Sequence, residues 1–225
     1  MALNSSKIKG GKEGGVAQPV IEPGVYPARI VQIVDMGLQA QRPFQGKEKA
    51  PANEVMFTYE LVDSFMVDAD GKELEDKPRW VSETMPIYNI EKADKAKCTQ
   101  RYKAVDPNNA FGGDFAQLVD IPVNVSIVQN VQGEKIYINV ANIAAMRPKD
   151  AAKCPPLKNP VKVFDLDAPD VEVFNSFPDW VKEKIQKNLN YNGSALEAAL
   201  AGKPAPAPQA PEPAQEEEAD DKPWD

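Results

Sequence analysis

The chain has 225 residues, 26 basic and 34 acidic side chains and a formal charge of −8, with 42% hydrophobic residues. That is enough apolar content for a buried core, and no run of about 18 apolar residues is present to cross a membrane. Histidine is absent, which excludes Ser-His-Asp and Cys-His catalysis and His-ligated zinc, and Cys98 and Cys154 alone cannot hold a structural zinc.

Residues 1 to about 20 are polar and glycine-rich, without the apolar core of a secretory leader, and read as a disordered arm. With two cysteines read as free thiols, a cytoplasmic location is expected. The body is expected over 21–200, beginning at EPGVYPARIVQIVDMG, where the β-branched run Val25 to Val34 predicts a strand. Gln41 to Asn53 is a loop by its Pro, Gly and charge content. EVMFTYELVD alternates cleanly and predicts a half-buried strand, with Val55, Phe57, Tyr59 and Leu61 facing a core. Ala69 to Glu73 is a turn, and RWVSETMPIY returns as a strand.

EKADKAKCTQRYKAV favours a helix. IPVNVSIVQNVQGEKIYINV is the strongest hairpin, with Gln132-Gly133 at its turn. PVKVFDLD adds a short strand. FPDWVKEKIQKNL predicts a helix that buries Trp180, Val181, Ile185 and Leu189. About five strands with a helix between the third and fourth predict a mainly β protein with a few helices. The expected architecture is an OB-fold-like five-stranded barrel with an inserted helix and a C-terminal helix, and the strand content also fits a sandwich.

Three stretches combine cations with aromatics. The first is Arg42, Phe44, Lys47 and Lys49, and the second is Tyr88, Lys92, Lys95, Lys97, Arg101, Tyr102 and Lys103. The third, Arg147 and Lys149 with Lys153, Lys158 and Lys162, follows the last hairpin, on which Lys135 and Tyr137 share a polar face. Cations attract phosphate and aromatic faces stack any base, so these residues are the candidate sites for a single-stranded nucleic acid. Walker-type and GxGxxG phosphate loops and spaced carboxylate clusters are missing from the sequence, so neither catalysis nor a metal or cofactor is expected.

Residues 201–225 form an Ala/Pro-rich spacer followed by an acidic end. Seven acids and two lysines from Lys203 onward contribute −5, which leaves −3 for the preceding 202 residues. The body is therefore close to neutral. The end carries Glu216, Glu217, Glu218, Asp220 and Asp221, then Pro223, Trp224 and Asp225. An indole beside acids on a tether suits capture by a partner protein's pocket, and the acids can mimic phosphates in an empty cationic groove.

Together these features resemble bacteriophage single-stranded DNA-binding proteins, which pair an OB-fold body with an acidic C-terminal tail. Asp220, Asp221, Pro223 and Trp224 match in kind the acids, proline and phenylalanine that end bacterial single-stranded DNA-binding proteins, and PGVYPARIVQIVDMG resembles a first strand of the phage group. Here tryptophan stands for phenylalanine and Asp225 follows it. The resemblance implies sequence-independent coating of single-stranded DNA in replication, recombination or repair, inside the host cytoplasm for a phage-encoded protein. It further implies a tail that recruits replication or recombination proteins, and it permits a homo-oligomer. The rival expectation is a protein-binding inhibitor or mediator whose acidic tail imitates DNA and whose body binds none.

Overall fold

In the computed structural model, which describes residues 16–202, the chain is mainly β with short helices. The strands are β1 (Gly24–Gln39), β2 (Ala52–Val67), β3 (Glu73–Pro86), β4 (Pro122–Gln132), β5 (Lys135–Ala145) and β6 (Lys162–Phe164). The helices are α1 (Lys97–Val105), α2 (Pro148–Ala151), α3 (Val171–Asn175), α4 (Asp179–Gln186) and α5 (Ala195–Leu200), with a 3-10 turn at Phe115–Leu118. The expected disordered arm and the acidic tail lie largely outside the described residues. Residues 16–20 are described, and the Gln18 side chain bonds both the N–H and the C=O of Val67.

Strand order is β3-β2-β1-β4-β5, antiparallel throughout, and β6 joins the later half of β1 in parallel. β4 pairs with β1 only from Gly24 to Arg29, so β6 takes the place beside Gln32 to Val34. Strand pairing gives an open sheet, with β3 and β5 as its free edges, where a closed five-stranded barrel was expected.

The inward face carries Ile30, Ile33, Val55, Phe57, Tyr59, Leu61, Val81, Met85, Val123, Val125 and Ile127, covered by Cys98 and Tyr102 of α1 and by Leu118. Phe57 and Tyr59 are core, as their alternation predicts. The other face of β2 is also buried, and here the half-buried expectation fails. Val34, Met36 and Met56 join Phe164, Phe174, Phe177, Val181, Ile185 and Leu196 in a second core beneath the C-terminal helices.

Two helix expectations change for local reasons. The Asn89 side chain accepts from the N–H groups of Glu91 and Lys92, an Asx turn that competes with helix, so α1 begins only at Lys97. On α4 the buried residues are Val181 and Ile185; Trp180 stands one 100° step aside and is 55% exposed, and Leu189, beyond the helix end, is exposed too.

Gly37 fixes how the two layers meet. Its φ is +73°, and a Cβ there would stand 2.7 Å from the Asn188 Cγ and 2.9 Å from the Leu166 Cδ1. Leu189 N–H donates to Leu38 C=O at 2.8 Å, one residue on. Gly37→Ala is expected to lower unfolding free energy by more than the ~1–3 kcal/mol of a strained backbone alone, measured by urea denaturation.

Candidate nucleic-acid interface

The first cationic stretch folds as a small projecting arm. Phe44 and Lys47 exchange both backbone hydrogen bonds (2.9 and 3.0 Å), and the residues between them, Gln45 and Gly46, both have positive φ (50° and 76°). This is a two-residue type I′ turn, which glycine at its second position permits. It leaves Phe44 60% exposed, with the Lys49 ammonium 4.8 Å from its ring centre. At the base of the arm the Gln41 amide donates to Glu54, which also pairs with Lys184 of α4.

Tyr88 roots at the same end of the sheet. Ile87 N–H donates to Asn53 C=O at 2.7 Å, directly after the Glu54–Pro86 pair of the β2–β3 ladder. Tyr88 N–H then contacts the Cys98 sulfur at 3.3 Å, closing residues 89–97 into a loop that carries Lys92 and Lys95. Arg42, Lys47, Lys49, Lys92 and Lys95 form no ion pair with another described residue. Two of the three predicted stretches thus converge on one end of β2 and β3.

The rest of the second stretch turns inward. Arg101 is 2% exposed and spans the gap between the sheet edges: its Nε and Nη2 donate to Glu83 of β3 (2.8 and 3.2 Å), its Nη1 to Asn142 and its Nη2 to Ala141 C=O of β5. Glu83 also accepts from Tyr59 OH (2.7 Å) and pairs with Lys97 (2.7 Å). Burial, followed by the nearby Glu83 charge, holds the Tyr59 phenol well above its ordinary range. Tyr102 is fully buried, and its hydroxyl donates to Asp106. Arg101 and Tyr102 therefore offer no surface to a nucleic acid, contrary to expectation, while Lys103 is exposed and pairs with Asp94.

Burial alone would raise Asp106, but N–H groups of Phe111 and Ala110 and the Tyr102 hydroxyl outweigh it and hold its carboxyl below the ordinary range. The residue thereby anchors the turn that follows α1.

The third stretch goes elsewhere. Arg147 pairs with Asp150, and Lys149 lies on α2 after β5. The chain then crosses the sheet, where the carbonyls of Cys154 and Pro155 accept from Arg29. It reaches Glu60 of β2, which is 1% exposed and accepts from Lys158 N–H (2.6 Å) and from the Asn159 amide (2.7 Å). Lys135 and Tyr137 sit near the β4–β5 turn, at the β1 end where β4 departs from Ile127.

One aromatic the loop reading leaves out is Trp80. It faces outward on β3, with its indole N–H on Glu60 (3.1 Å) and 40% of its surface exposed. Its orientation follows from register: Trp80, Ser82 and Thr84 pair with Glu60, Thr58 and Met56, while Val81, Glu83 and Met85 face inward. Gln32, Thr58 and Ser82 form a polar ladder across that outer face (3.4 and 3.0 Å). Tyr88 has the same parity as Trp80, eight residues on, about 26 Å at strand spacing. The alternation in the sequence is broken by apolar Trp80 on the outer set and charged Glu83 on the inner one; the missing piece was Glu60, whose partners lie far away in the chain.

Arg101→Ala is expected to destabilise the protein by roughly 3 kcal/mol, because buried Glu83 keeps only Lys97 and Tyr59 as partners and the bridge to Asn142 and Ala141 is lost. Lys92→Ala, on a solvated loop, is expected to shift the same thermal midpoint negligibly. Calorimetry of both variants checks this. No protein-family model matches the chain, and comparison with curated proteins returns no match.

Proposed function

We propose that this is a non-catalytic single-stranded DNA-binding protein with an OB-type barrel, coating exposed strands without base specificity in phage replication, recombination or repair. Strand order β3-β2-β1-β4-β5 with α1 between β3 and β4 supports the barrel reading, with Arg101 supplying side-chain closure where backbone bonds are lacking. The observation that carries the functional reading is the convergence, at one end of β2 and β3, of exposed Phe44 and Tyr88 with five cations that form no ion pair among the described residues.

In this reading the strand runs along the outer face of β3 from Trp80 to Tyr88 and on to the Phe44 arm. Bases stack on the three rings, and Arg42, Lys47, Lys49, Lys92 and Lys95 meet phosphates. Glu60 fixes the Trp80 indole edge, so its exposed face is preorganised and little side-chain entropy is lost on stacking. Arg147, Lys149, Lys135 and Tyr137 lie off this track. The acidic tail, outside the described residues, recruits partner proteins and competes with DNA for the cations.

Titration with fluorescein-labelled oligo-dT, followed by anisotropy, tests the reading. Affinity is expected to fall with salt, and K92Q/K95Q to reduce the log–log slope by about 1.4, at about 0.7 per phosphate contact on single strands. F44A, Y88A and W80A are each expected to weaken binding by about 1–3 kcal/mol without loss of fold. Removing residues 216–225 is expected to tighten it. Absence of binding by the truncated chain at low salt would instead favour the DNA-mimicking inhibitor.

A further inference from the structure

The β4–β5 ribbon reaches beyond the rest of the sheet. β1 stops pairing with β4 at Gly24–Ile127, so among the described residues the strand pairing of 128–139 is confined to the ribbon, with the Gln129 amide donating to Ile21 C=O at its base. A two-stranded ribbon in water is marginal by itself. Its apolar side chains are nevertheless left uncovered on both faces: Val131 is 64% exposed and its cross-strand partner Ile136 46%, while Val128 and Tyr137 on the opposite face are 44% and 45%. The ribbon carries one acid and one base, Glu134 and Lys135, so it has no net charge with which to hold a phosphate backbone.

The outer edge of β5 is also free. Among the described residues, Lys135 to Val140 make no backbone hydrogen bond except to β4, and the Arg101 closure begins only at Ala141. The edge sequence KIYINV is rich in β-branched and aromatic residues, has one charge, and contains neither proline nor glycine. Apart from Lys135 at its start, nothing in it blunts strand addition.

We propose that two copies of this chain join edge to edge through β5, antiparallel about a two-fold axis at Tyr137. A two-fold perpendicular to the sheet requires residues opposite one another to share a face, so the axis passes through a residue and not between two. Centring on Tyr137 places Ile136 opposite Ile138 of the second copy, Lys135 opposite Asn139, and Tyr137 against its own equivalent. Aliphatic meets aliphatic, and no like charges stand directly opposed. The same axis covers the exposed Ile136 and lets the Val131 faces of the two ribbons continue one another, joining the two sheets into one. This surface is separate from the Trp80–Tyr88 track, and the proposal stands whether or not that track binds DNA.

Sedimentation of the full chain at rising concentration tests it, with I136K as the disrupting variant. Twice the chain mass is expected for the unaltered protein and the single-chain mass for I136K, with the thermal midpoint at low concentration unchanged. Register is read in a Cys154→Ser background: Y137C is expected to cross-link under mild oxidation, because opposite positions stand about 4.5–5.5 Å apart at Cα, within disulfide reach, whereas K135C faces Asn139 and is not. A single-chain mass at every concentration would overturn the proposal, as would a dimer untouched by I136K or cross-linking through K135C in place of Y137C. Loss of oligo-dT binding by I136K without change of mass would overturn it in favour of nucleic acid on the ribbon.

Discussion

Two sheet edges that exchange no backbone hydrogen bonds are held together here by one buried ion pair. Arg101 puts its guanidinium between Glu83 of β3 and the Ala141–Asn142 backbone and side chain of β5, and Glu83 has its remaining capacity filled by Tyr59 and Lys97. Such a pair contributes little net stability over a well-packed apolar substitute, but breaking it leaves a buried carboxylate with only part of its partners, Lys97 and Tyr59. What it contributes is definition. It fixes the face that α1 turns to the core, and with it which cations of residues 92–103 point inward. Lys97 and Arg101 are committed to closure; Lys92 and Lys95, on the loop before the helix, remain for solvent or a ligand.

The second constraint is coverage. Segment 153–200 lies over the outer face of β1 and β2, through the Arg29 contacts with Cys154 and Pro155, the Glu60 contacts with Lys158 and Asn159, and the core around Phe164 and Phe177. β3 keeps an open outer strip, and that strip carries Trp80, Ser82 and Thr84 before running into Tyr88. Position and chemistry coincide there. The proposed base-stacking track uses this edge strand with its held indole, flanked by an arm and a loop whose cations form no ion pair with another described residue.

Local pattern was a sound guide wherever one face decided the outcome. The period-2 runs of β2, β4 and β5 gave both the strands and the inward residues, and punctuation by Pro, Gly and Asn located the turns. It misled where a distant partner decided. Arg101 and Tyr102 sat in a lysine-rich stretch and read as surface, because Glu83 lies 18 residues and Asn142 41 residues away. Trp180 sat among apolar neighbours, but its helix buries the stripe one step round. Trp80 gave no clear pattern until Glu60, 20 residues back, was seen to hold it. The closed barrel expected from the strand order is not made by backbone pairing, because β3 and β5 share no ladder and meet instead through the side chain of Arg101.

The central claim, that single-stranded DNA lies along β3 toward the Phe44 arm, is most directly tested by amide hydrogen exchange of the full chain with and without saturating oligo-dT. Slower exchange is expected over residues 42–49 and 80–92, with residues 130–138 and α4 unchanged. Unaltered exchange in both of those segments, with protection appearing instead on the β4–β5 ribbon or on α4, would contradict it.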